Sequence, residues 1–353
     1  MCDFSKYGIP SEEWVRLAAT LPPPPTDLTI EQLKEVTNGA RETAAEAGMK
    51  ELSSKVLLQD YSIPTRDGQQ LEARVYRPSA RPRNETLPIY LHLHGGGFLF
   101  GTIKTEDVTC SKLAINAETV VLNVNYRHTP EHPYPTAWND TEDALVWLCK
   151  NSSLFHGNLD KLVIGGVSAG GMLSTSVVQS ALRSELELSP KPRILGQVLM
   201  IPVLVYEAFW ESQIKQIKEP SLSSYQQNAE APLLSVKTIN FFNKLLKVEN
   251  PDPNDRRFSP GLLTAEEAKY LPPTTFGLAG YDPLRDDGFL YAKLLTENGV
   301  PTNINVFKGV PHGFRRFDNS LSASKDYDRI MEEGIKWALT NPAATGQFVV
   351  NEY

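Results

Sequence analysis

Short apolar runs alternate with longer amphipathic stretches over most of the chain from residue 56 onwards. The apolar runs cover residues 56–63, 71–76, 89–93, 120–125, 162–164, 196–201, 275–278 and 304–307. Helical periodicity marks residues 105–117, 136–150, 169–184, 286–298 and 322–340 between them. Strands that alternate with helices are typical of βαβ units. The pattern therefore predicts an α/β fold, with a mostly parallel central sheet of about eight strands flanked by helices.

Two regions do not follow this alternation. Residues 1–50 predict two helices, one over 11–21 and one that Thr29 and Gln32 begin with the spacing of a capping box. The second helix has one predicted apolar face, formed by Ile30, Leu33, Val36, Ala40, Ala44 and Ala47, and Gly48 suits its end. Four prolines at 22–25 predict an extended linker. Residues 206–260 contain no β-like run and predict a helical insertion between two strands.

Composition narrows the functional classes. The chain has 353 residues, a formal net charge of −7 and 41% hydrophobic residues. Its negative charge does not favour binding to nucleic acid or to an anionic membrane surface. The sequence MCDFSKYGIP lacks the basic and apolar regions of a secretory signal, and no run of about 18 apolar residues occurs. We therefore expect a cytoplasmic protein without stable membrane insertion. Three cysteines are too few for a disulfide framework, and a homodimer is left open.

A serine lies in a sharp turn between a predicted strand and a predicted helix. The apolar run 162–164 is followed by Gly166-Val167-Ser168-Ala169-Gly170, which has the form G-x-S-x-G. In a strand–turn–helix context this motif presents a nucleophilic serine at the carboxyl end of a sheet. Gly166 and Gly170 fit a turn in which neighbouring backbone passes close by. A glycine-rich strand-to-helix turn without catalytic role is the alternative.

A second glycine-rich segment follows the run 89–93. It reads His94-Gly95-Gly96-Gly97-Phe98. Glycines expose backbone N–H groups, which an oxyanion hole needs in order to stabilise developing negative charge. We expect Gly96, Gly97 and Ala169 to supply these groups, and His94 to tie the loop in place. A flexible loop is the alternative.

The order of residues along the chain selects a base and an acid. When an acid and a histidine follow the nucleophile in that order, His312 is the only candidate base, because the other five histidines precede Ser168. Asp282 is the aspartate nearest the end of the run 275–278 and is the favoured acid. Asp286 is the second candidate, although we expect it to cap the following helix.

With these motifs, the chain resembles the hormone-sensitive-lipase family of esterases, which have the α/β-hydrolase fold. The resemblance covers about residues 55–340. It includes His94-Gly95-Gly96-Gly97-Phe98, the segment 166–171, Asp282-Pro283-Leu284, His312-Gly313-Phe314, and the segment 126–133, which is similar to the family's Y-R-x-x-P-E-H stretch. Val167 stands where the family commonly has an acidic residue, and His128-Thr129 where Leu-Ala is usual.

The resemblance implies a division into a catalytic domain and a helical cap. We expect residues 51–205 and 261–353 to form the catalytic domain, residues 1–50 the N-terminal cap helices, and residues 206–260 the cap insertion. An enclosed pocket under such a cap would favour short to medium acyl chains.

The sequence therefore predicts a serine carboxylic-ester hydrolase that acts on small-molecule esters through an acyl-serine intermediate, without a metal or an organic cofactor. Acyl transfer to an alcohol or amide hydrolysis with the same residues remains an alternative. A small-molecule receptor that has kept the fold and lost catalysis is an alternative of another class.

Overall fold

The computed structural model describes residues 1–23 and 27–353, with only the backbone of residue 319. Part of the predicted extended linker at 22–25 thus lies outside the described residues. Nine strands form one sheet in the order β1-β2-β4-β3-β5-β6-β7-β8-β9. They are β1 Val56–Pro64, β2 Gln70–Pro78, β3 Leu87–Leu93, β4 Val120–Val124, β5 Gly157–Val167, β6 Ile194–Met200, β7 Thr274–Tyr281, β8 Thr302–Pro311 and β9 Val350–Glu352.

The sheet is mostly parallel, which confirms the predicted α/β class. β1 pairs antiparallel with β2 across the turn at Gly68, which has a φ of +81°, and β2 pairs antiparallel with β4. All other neighbours pair in parallel. β9 was not predicted, because three residues give too short a pattern to recognise.

Eleven α-helices occur in the described residues. They are α1 Glu12–Ala18, α2 Ile30–Leu52, α3 Asp107–Ala117, α4 Thr136–Asn151, α5 Ala169–Leu182, α6 Trp210–Ile214, α7 Ser224–Gln227, α8 Val236–Leu245, α9 Ala265–Ala268, α10 Arg285–Glu297 and α11 Ser322–Leu339. None of these described helices is long and apolar enough to cross a membrane. The short helices α6 to α9 all lie in the segment between β6 and β7.

The core consists of two apolar layers, one on each face of the sheet. One layer includes Leu145 of α4, Leu173 of α5 and Phe289 of α10, while the other includes Leu113 of α3 and Ile335 of α11. β3 and β4 are buried almost along their whole length, as expected for parallel strands that helices cover on both faces. The carboxyl ends of β3, β5, β7 and β8 therefore meet at one end of the sheet.

Helix α2 differs from its predicted orientation. The capping box of Thr29 and Gln32 is present, but the helix continues past Gly48 to Leu52. Gly48 instead lets α2 approach α3, because a Cβ there would lie 2.7 Å from the side chain of Val108.

The predicted apolar face of α2 is wrong. Val36 is 53% exposed, and Ala40, Ala44 and Ala47 are also exposed. Polar side chains face the protein instead: Asn38 accepts a hydrogen bond from the Gly101 N–H at 3.0 Å, and Glu42 accepts one from the Thr102 hydroxyl at 2.6 Å. Alanines bury little area, so these hydrogen bonds outweigh their contribution to the orientation of the helix.

Candidate active site

Ser168 lies between the last residue of β5 and the first residue of α5, in a strained conformation. Its φ is 55° and its ψ is −116°, a region that non-glycine residues rarely occupy. The Ser168 N–H donates to the carbonyl of Met200 at 2.9 Å, and its own carbonyl accepts from the N–H of Gly171 at 2.8 Å. The G-x-S-x-G motif thus forms a turn that holds the serine firmly at the carboxyl end of the sheet.

The two glycines of the serine turn are there for steric reasons. A Cβ on Gly166 or on Gly170 would lie less than 3.0 Å from the carbonyl oxygen of Leu93, closer than real Cβ atoms come. The close approach of the neighbouring backbone that the sequence predicted is therefore present. Any side chain at either position would push the ends of β3 and β5 apart.

Ser168, His312 and Asp282 form a hydrogen-bonded chain. The Oγ of Ser168 lies 2.9 Å from Nε2 of His312, and Nδ1 of His312 lies 2.7 Å from Oδ2 of Asp282. The other carboxylate oxygen of Asp282 accepts from the N–H of Leu284 at 2.9 Å. An ionised Asp282 requires the proton on Nδ1, which leaves Nε2 free to accept the serine proton.

These three side chains are largely shielded from water. Ser168 is 8% exposed and Asp282 is 1% exposed. Low water content strengthens the electrostatic interaction between the imidazole and the carboxylate. The structure therefore brings the predicted nucleophile, base and acid together in a geometry suited to proton transfer.

Asp286, the second candidate acid, takes part in a different set of contacts. Its carboxylate accepts from Nε of Arg285 at 2.8 Å and from the N–H of Ser224 at 2.7 Å. The predicted capping role is also wrong, because α10 begins after Leu284 and has no side-chain cap. Burial explains the outcome: the Arg285 guanidinium is fully buried and needs a carboxylate beside it.

The glycine loop after β3 leaves backbone donors unused. Gly96 has a φ of +140° and Gly97 a φ of +61°. Among the described residues, the N–H groups of Gly96, Gly97 and Ala169 donate to no backbone carbonyl. Ala169 begins α5, where the helix end also favours negative charge. These N–H groups are thus available to an anion that forms at Ser168.

His94 holds the glycine loop, as the sequence predicted. Its Nδ1 lies 3.1 Å from the carbonyl oxygen of Gly95, and its ring stacks on Tyr126 at 4.3 Å between centroids. The Tyr126 hydroxyl donates to the carbonyl of His94 at 2.7 Å. Burial lowers the pKa of His94 to about 4, so the imidazole is neutral at physiological pH.

Helix α8 lies over the glycine loop. A Cβ on Gly97 would come within 2.6 Å of the ring of Phe242, which also packs edge-on against Phe100. Asn243 donates to the carboxylate of Glu207, and this contact ties α8 to the chain that follows β6. An aromatic ring therefore narrows the space beside the unused N–H groups.

Residues 280–284, which carry Asp282 from the end of β7 to the start of α10, form what we call the acid loop. This loop is held by a residue that the sequence did not single out. Asn228 is buried, and its Nδ2 donates to the carbonyls of Gly280 at 3.2 Å and Asp282 at 3.0 Å. No motif surrounds Asn228, which follows α7 in the segment between β6 and β7. Its neighbours Gln226, Gln227 and Glu230 are polar as well, so nothing in the local sequence distinguishes Asn228.

Asp287 is a further buried carboxylate near the acid loop. It accepts from the N–H groups of Leu204 and Val205, both at 3.0 Å, and from the Tyr225 hydroxyl. Burial raises the pKa of Asp287 to about 7. Its partners are structural, since they connect the start of the β6–β7 segment to α10.

Within the described residues, no cluster of His, Cys, Asp or Glu has the arrangement of a metal site. A groove of about 280 Å³ lies between the end of α5 and the region of α9, lined by residues that include Leu182, Leu263, Tyr270 and Leu271. It contains none of the candidate catalytic residues, so we place the chemistry at Ser168 on the basis of the hydrogen-bonded chain.

Comparisons with known proteins show which family the chain belongs to. Residues 90–316 match a family model described as alpha/beta hydrolase fold. Esterase LipI of Mycobacterium tuberculosis is 34% identical over 257 residues, which are 72% of this chain and 73% of that protein. Versiconal hemiacetal acetate esterase of Dothistroma septosporum is 30% identical over 76% of this chain and 78% of that protein.

A solved structure extends the similarity to nearly the whole chain. The crystal structure of vibralactone cyclase superposes with a TM-score of 0.85 and 28% sequence identity, over 96% of this chain and 97% of that one. The match therefore includes most of the N-terminal residues and of the segment between β6 and β7.

Proposed function

The chain belongs to the α/β-hydrolase fold family, and we propose that it is a carboxylic-ester hydrolase with Ser168 as nucleophile, His312 as base and Asp282 as acid. The hydrogen-bonded chain from Ser168 Oγ through His312 to Asp282 is the observation that carries this assignment. The esterase relatives support the reaction class.

The reaction begins when Nε2 of His312 takes the hydroxyl proton of Ser168 and Oγ bonds to the ester carbonyl carbon. The tetrahedral intermediate then breaks its bond to the alcohol, which receives the proton from His312. A water molecule attacks the resulting acyl-serine, giving its proton to His312. The acid leaves as that proton returns to Ser168 Oγ. Asp282 keeps the imidazole in the required tautomer and stabilises its charged form.

Gly96, Gly97 and Ala169 are the proposed oxyanion hole. The N–H groups of these residues have no backbone acceptor among the described residues, which supports the assignment. Each donor of this kind typically contributes a few kcal/mol to the stability of the transition state, about 3–4 kcal/mol in the best-known case.

We further propose that the substrates are small-molecule esters with short to medium acyl chains. The predicted cap consists of residues 1–50 and 206–260 and covers the pocket. The contact of Phe242, a residue of this cap, with Gly97 is evidence in favour of it. A relative whose name specifies an acetate ester is consistent with a short acyl group. We expect poor activity on emulsified triglyceride.

The test is a panel of esters in which the acyl group and the alcohol vary in size separately. Hydrolysis of short esters by the wild type, with labelling of Ser168 alone by a stoichiometric phosphonate, would support the proposal. Equal activity on long lipid esters would refute the acyl-chain limit. Labelling of another residue would refute the site.

Acyl transfer within one molecule is a second candidate reaction. It is favoured by the extensive similarity to vibralactone cyclase, whose name denotes ring formation. The hydroxyl of a hydroxyacyl-serine would give its proton to His312 and bond to the acyl carbon. The bond to Ser168 Oγ would then break, with Oγ taking that proton from His312, which produces a lactone. With a hydroxyacyl ester as substrate, a lactone product would support this reaction, whereas a free hydroxy acid supports hydrolysis.

We also propose that the protein is cytoplasmic. Its three cysteines are all free, and Cys110 and Cys149 are buried, which suits a reducing compartment. Fractionation of the source cells tests the location. Light scattering in solution tests the homodimer that the sequence left open.

A further inference from the structure

The first eleven residues contact several of the segments that hold the catalytic loops in place. The N–H of Cys2 donates to the carbonyl of Gln216 at 2.8 Å, and the Cys2 carbonyl accepts from Lys218 at 2.8 Å. Phe4 stacks on Phe289 of α10, with 4.5 Å between ring centroids. We name residues 2–11 the N-terminal strap. It begins on the β6–β7 segment and runs towards the ends of β7 and β8.

The ends of β7 and β8 form a bulge directly before the acid and the base. Ala279 pairs with Phe307 and Tyr281 pairs with Pro311, so one residue of β7 lies opposite three residues of β8. Bulges bend a strand and redirect the side chains that follow. Here the residue after Tyr281 is Asp282 and the residue after Pro311 is His312. The shape of the bulge therefore sets how these two side chains meet.

The N-terminal strap packs into this bulge. The N–H of Ser11 donates to the carbonyl of Gly309 at 2.9 Å. A Cβ on Gly309 would lie less than 3.0 Å from the carbonyl oxygen of Ile9, and a Cβ on Gly280 equally close to that of Tyr7. Gly309 also has a φ of +63°. The strap backbone thus contacts β7 at Gly280 and β8 at Gly309.

We propose that the N-terminal strap is a positioning element that holds the bulge of β7 and β8 and thereby sets the contact between Asp282 and His312. This proposal rests on the proposed function of those two residues. None of the strap residues takes part in the chemistry. They act through the geometry of the Asp282–His312 hydrogen bond.

A purely structural strap is the competing explanation. Such a strap would stabilise the fold, and its loss would lower the melting temperature without changing turnover in the folded protein. A positioning strap has a different signature. Its disturbance lowers kcat more than it changes KM, and it alters the downfield proton resonance of an imidazole N–H that is bound to a carboxylate.

The first test compares two glycine-to-alanine variants of the full chain. Gly309→Ala places a Cβ against the strap, at a positive φ. Gly299→Ala is the matched control, because its φ is +79° and nothing lies within 4 Å of the added Cβ. Both variants carry the same type of backbone strain, but only Gly309→Ala displaces the strap. We expect Gly309→Ala to lower kcat by about 10–100-fold and to shift or broaden the His312 resonance.

Gly299→Ala should leave kcat and the resonance unchanged. If folded Gly309→Ala kept the kcat of the wild type, or if both variants lost activity equally, the proposal would be overturned. The resonance can be measured in the absence of any ester. A failure of the proposed hydrolysis is therefore distinguishable from a failure of the strap proposal.

Phe4→Ala is a second variant that leaves the bulge itself untouched. It removes the ring that anchors the strap on Phe289, so that the strap is loosened at a distance from both catalytic loops. We expect a fall in kcat of roughly 3–10-fold at a temperature well below unfolding, with the same change in the resonance. A lower melting temperature with normal kcat and a normal resonance would show that the strap is only structural.

Discussion

The loop that carries Ser168 and the loop that carries Asp282 reach the same end of the sheet, but different contacts hold them in place. The serine turn is held mainly by backbone close to it in the sheet, with Gly166 and Gly170 packed against the end of β3. The acid loop is held by side chains from the segment between β6 and β7. Asn228 binds two of its carbonyls, and Ser224 Oγ donates to the carbonyl of Pro283 at 2.6 Å.

This difference shows where a catalytic geometry can be recognised in a sequence. The glycines of the serine turn lie within two residues of the nucleophile, so motif and geometry coincide. The supports of the acid loop are 52 to 59 residues away from the groups that they bind. Substitutions should therefore distinguish the two regions. A change at Ser168 removes the chemical step directly, whereas a change at a support of the acid loop lowers activity indirectly, through the position of Asp282.

The largest effect is expected at Ser168. Ser168→Ala should lower turnover by about 10⁴–10⁶-fold without unfolding the protein, because only binding and oxyanion stabilisation remain. Kinetic assay and circular dichroism check this. Ser180→Ala is the control, since Ser180 is buried in α5, the helix that follows Ser168, and its Oγ has no hydrogen-bond partner among the described groups. Normal turnover in folded Ser168→Ala would remove the basis for the assigned site.

The next prediction separates two aspartates of the acid loop region. Asp282→Asn should lower kcat by about 10⁴-fold, because the amide favours the wrong tautomer of His312. Asp286→Asn should instead destabilise the fold by about 3–5 kcal/mol, since it leaves the buried Arg285 guanidinium without its charge partner. Kinetics and chemical denaturation of both variants provide the comparison. A reversed pattern would assign the acid to Asp286.

A smaller effect is expected at Asn228. Asn228→Ala removes the donor to two carbonyls of the acid loop, so we expect kcat to fall by about 10–100-fold while KM changes little. Asn298→Ala is the matched control, because the Asn298 amide donates to the carbonyl of Leu294 at 2.8 Å, at the end of α10. Equal kinetics for the two variants would show that the acid loop keeps its geometry without Asn228.

The smallest effect concerns the pH dependence of stability. The pKa of Asp287 is raised to about 7 by burial, so the folded state binds more protons than the unfolded state between about pH 4 and pH 7. The free energy of unfolding should therefore fall as pH rises through this window, and the contribution should be constant above it. Asp287→Asn should remove this slope.

The measurement is the difference in unfolding free energy between Asp287→Asn and the wild type at several pH values. We expect it to change by about 1–3 kcal/mol in favour of the variant from pH 4 to pH 7. Asparagine can keep the acceptor for Leu204 and Val205 and can donate to the Tyr225 oxygen. A difference that does not vary with pH would mean that the pKa of Asp287 is not raised in the folded state.

The parts of the fold that follow a repeating pattern were predicted well. The strands from β1 to β8 and the helices between them depend on local periodicity, and the sequence contains it. Helix α2 shows the limit, because its inward face is chosen by Asn38 and Glu42, whose partners lie more than 50 residues further along. The length of β5 was also underestimated, since its first half contains polar residues and a bulge against β3.

The candidate site divides in the same way. Ser168, His312, Asp282 and the glycine loop could be predicted from motif and order along the chain. Asn228 and the N-terminal strap could not, because their contribution arises from hydrogen bonds and backbone contacts between distant segments. Asp286 was given a capping role for the same reason: its contact with the N–H of Ser224, 62 residues earlier, arises only in the folded chain.

The strained backbone at Ser168 has a consequence for directed evolution. A residue in such a conformation costs on the order of 1–3 kcal/mol, and glycine would adopt it with little cost. Ser168→Gly should therefore be more heat-resistant than the parent enzyme while being inactive. A library screened only for thermal survival would enrich this loss-of-function variant. Stability and activity thus compete at this single position, and a selection must monitor both properties.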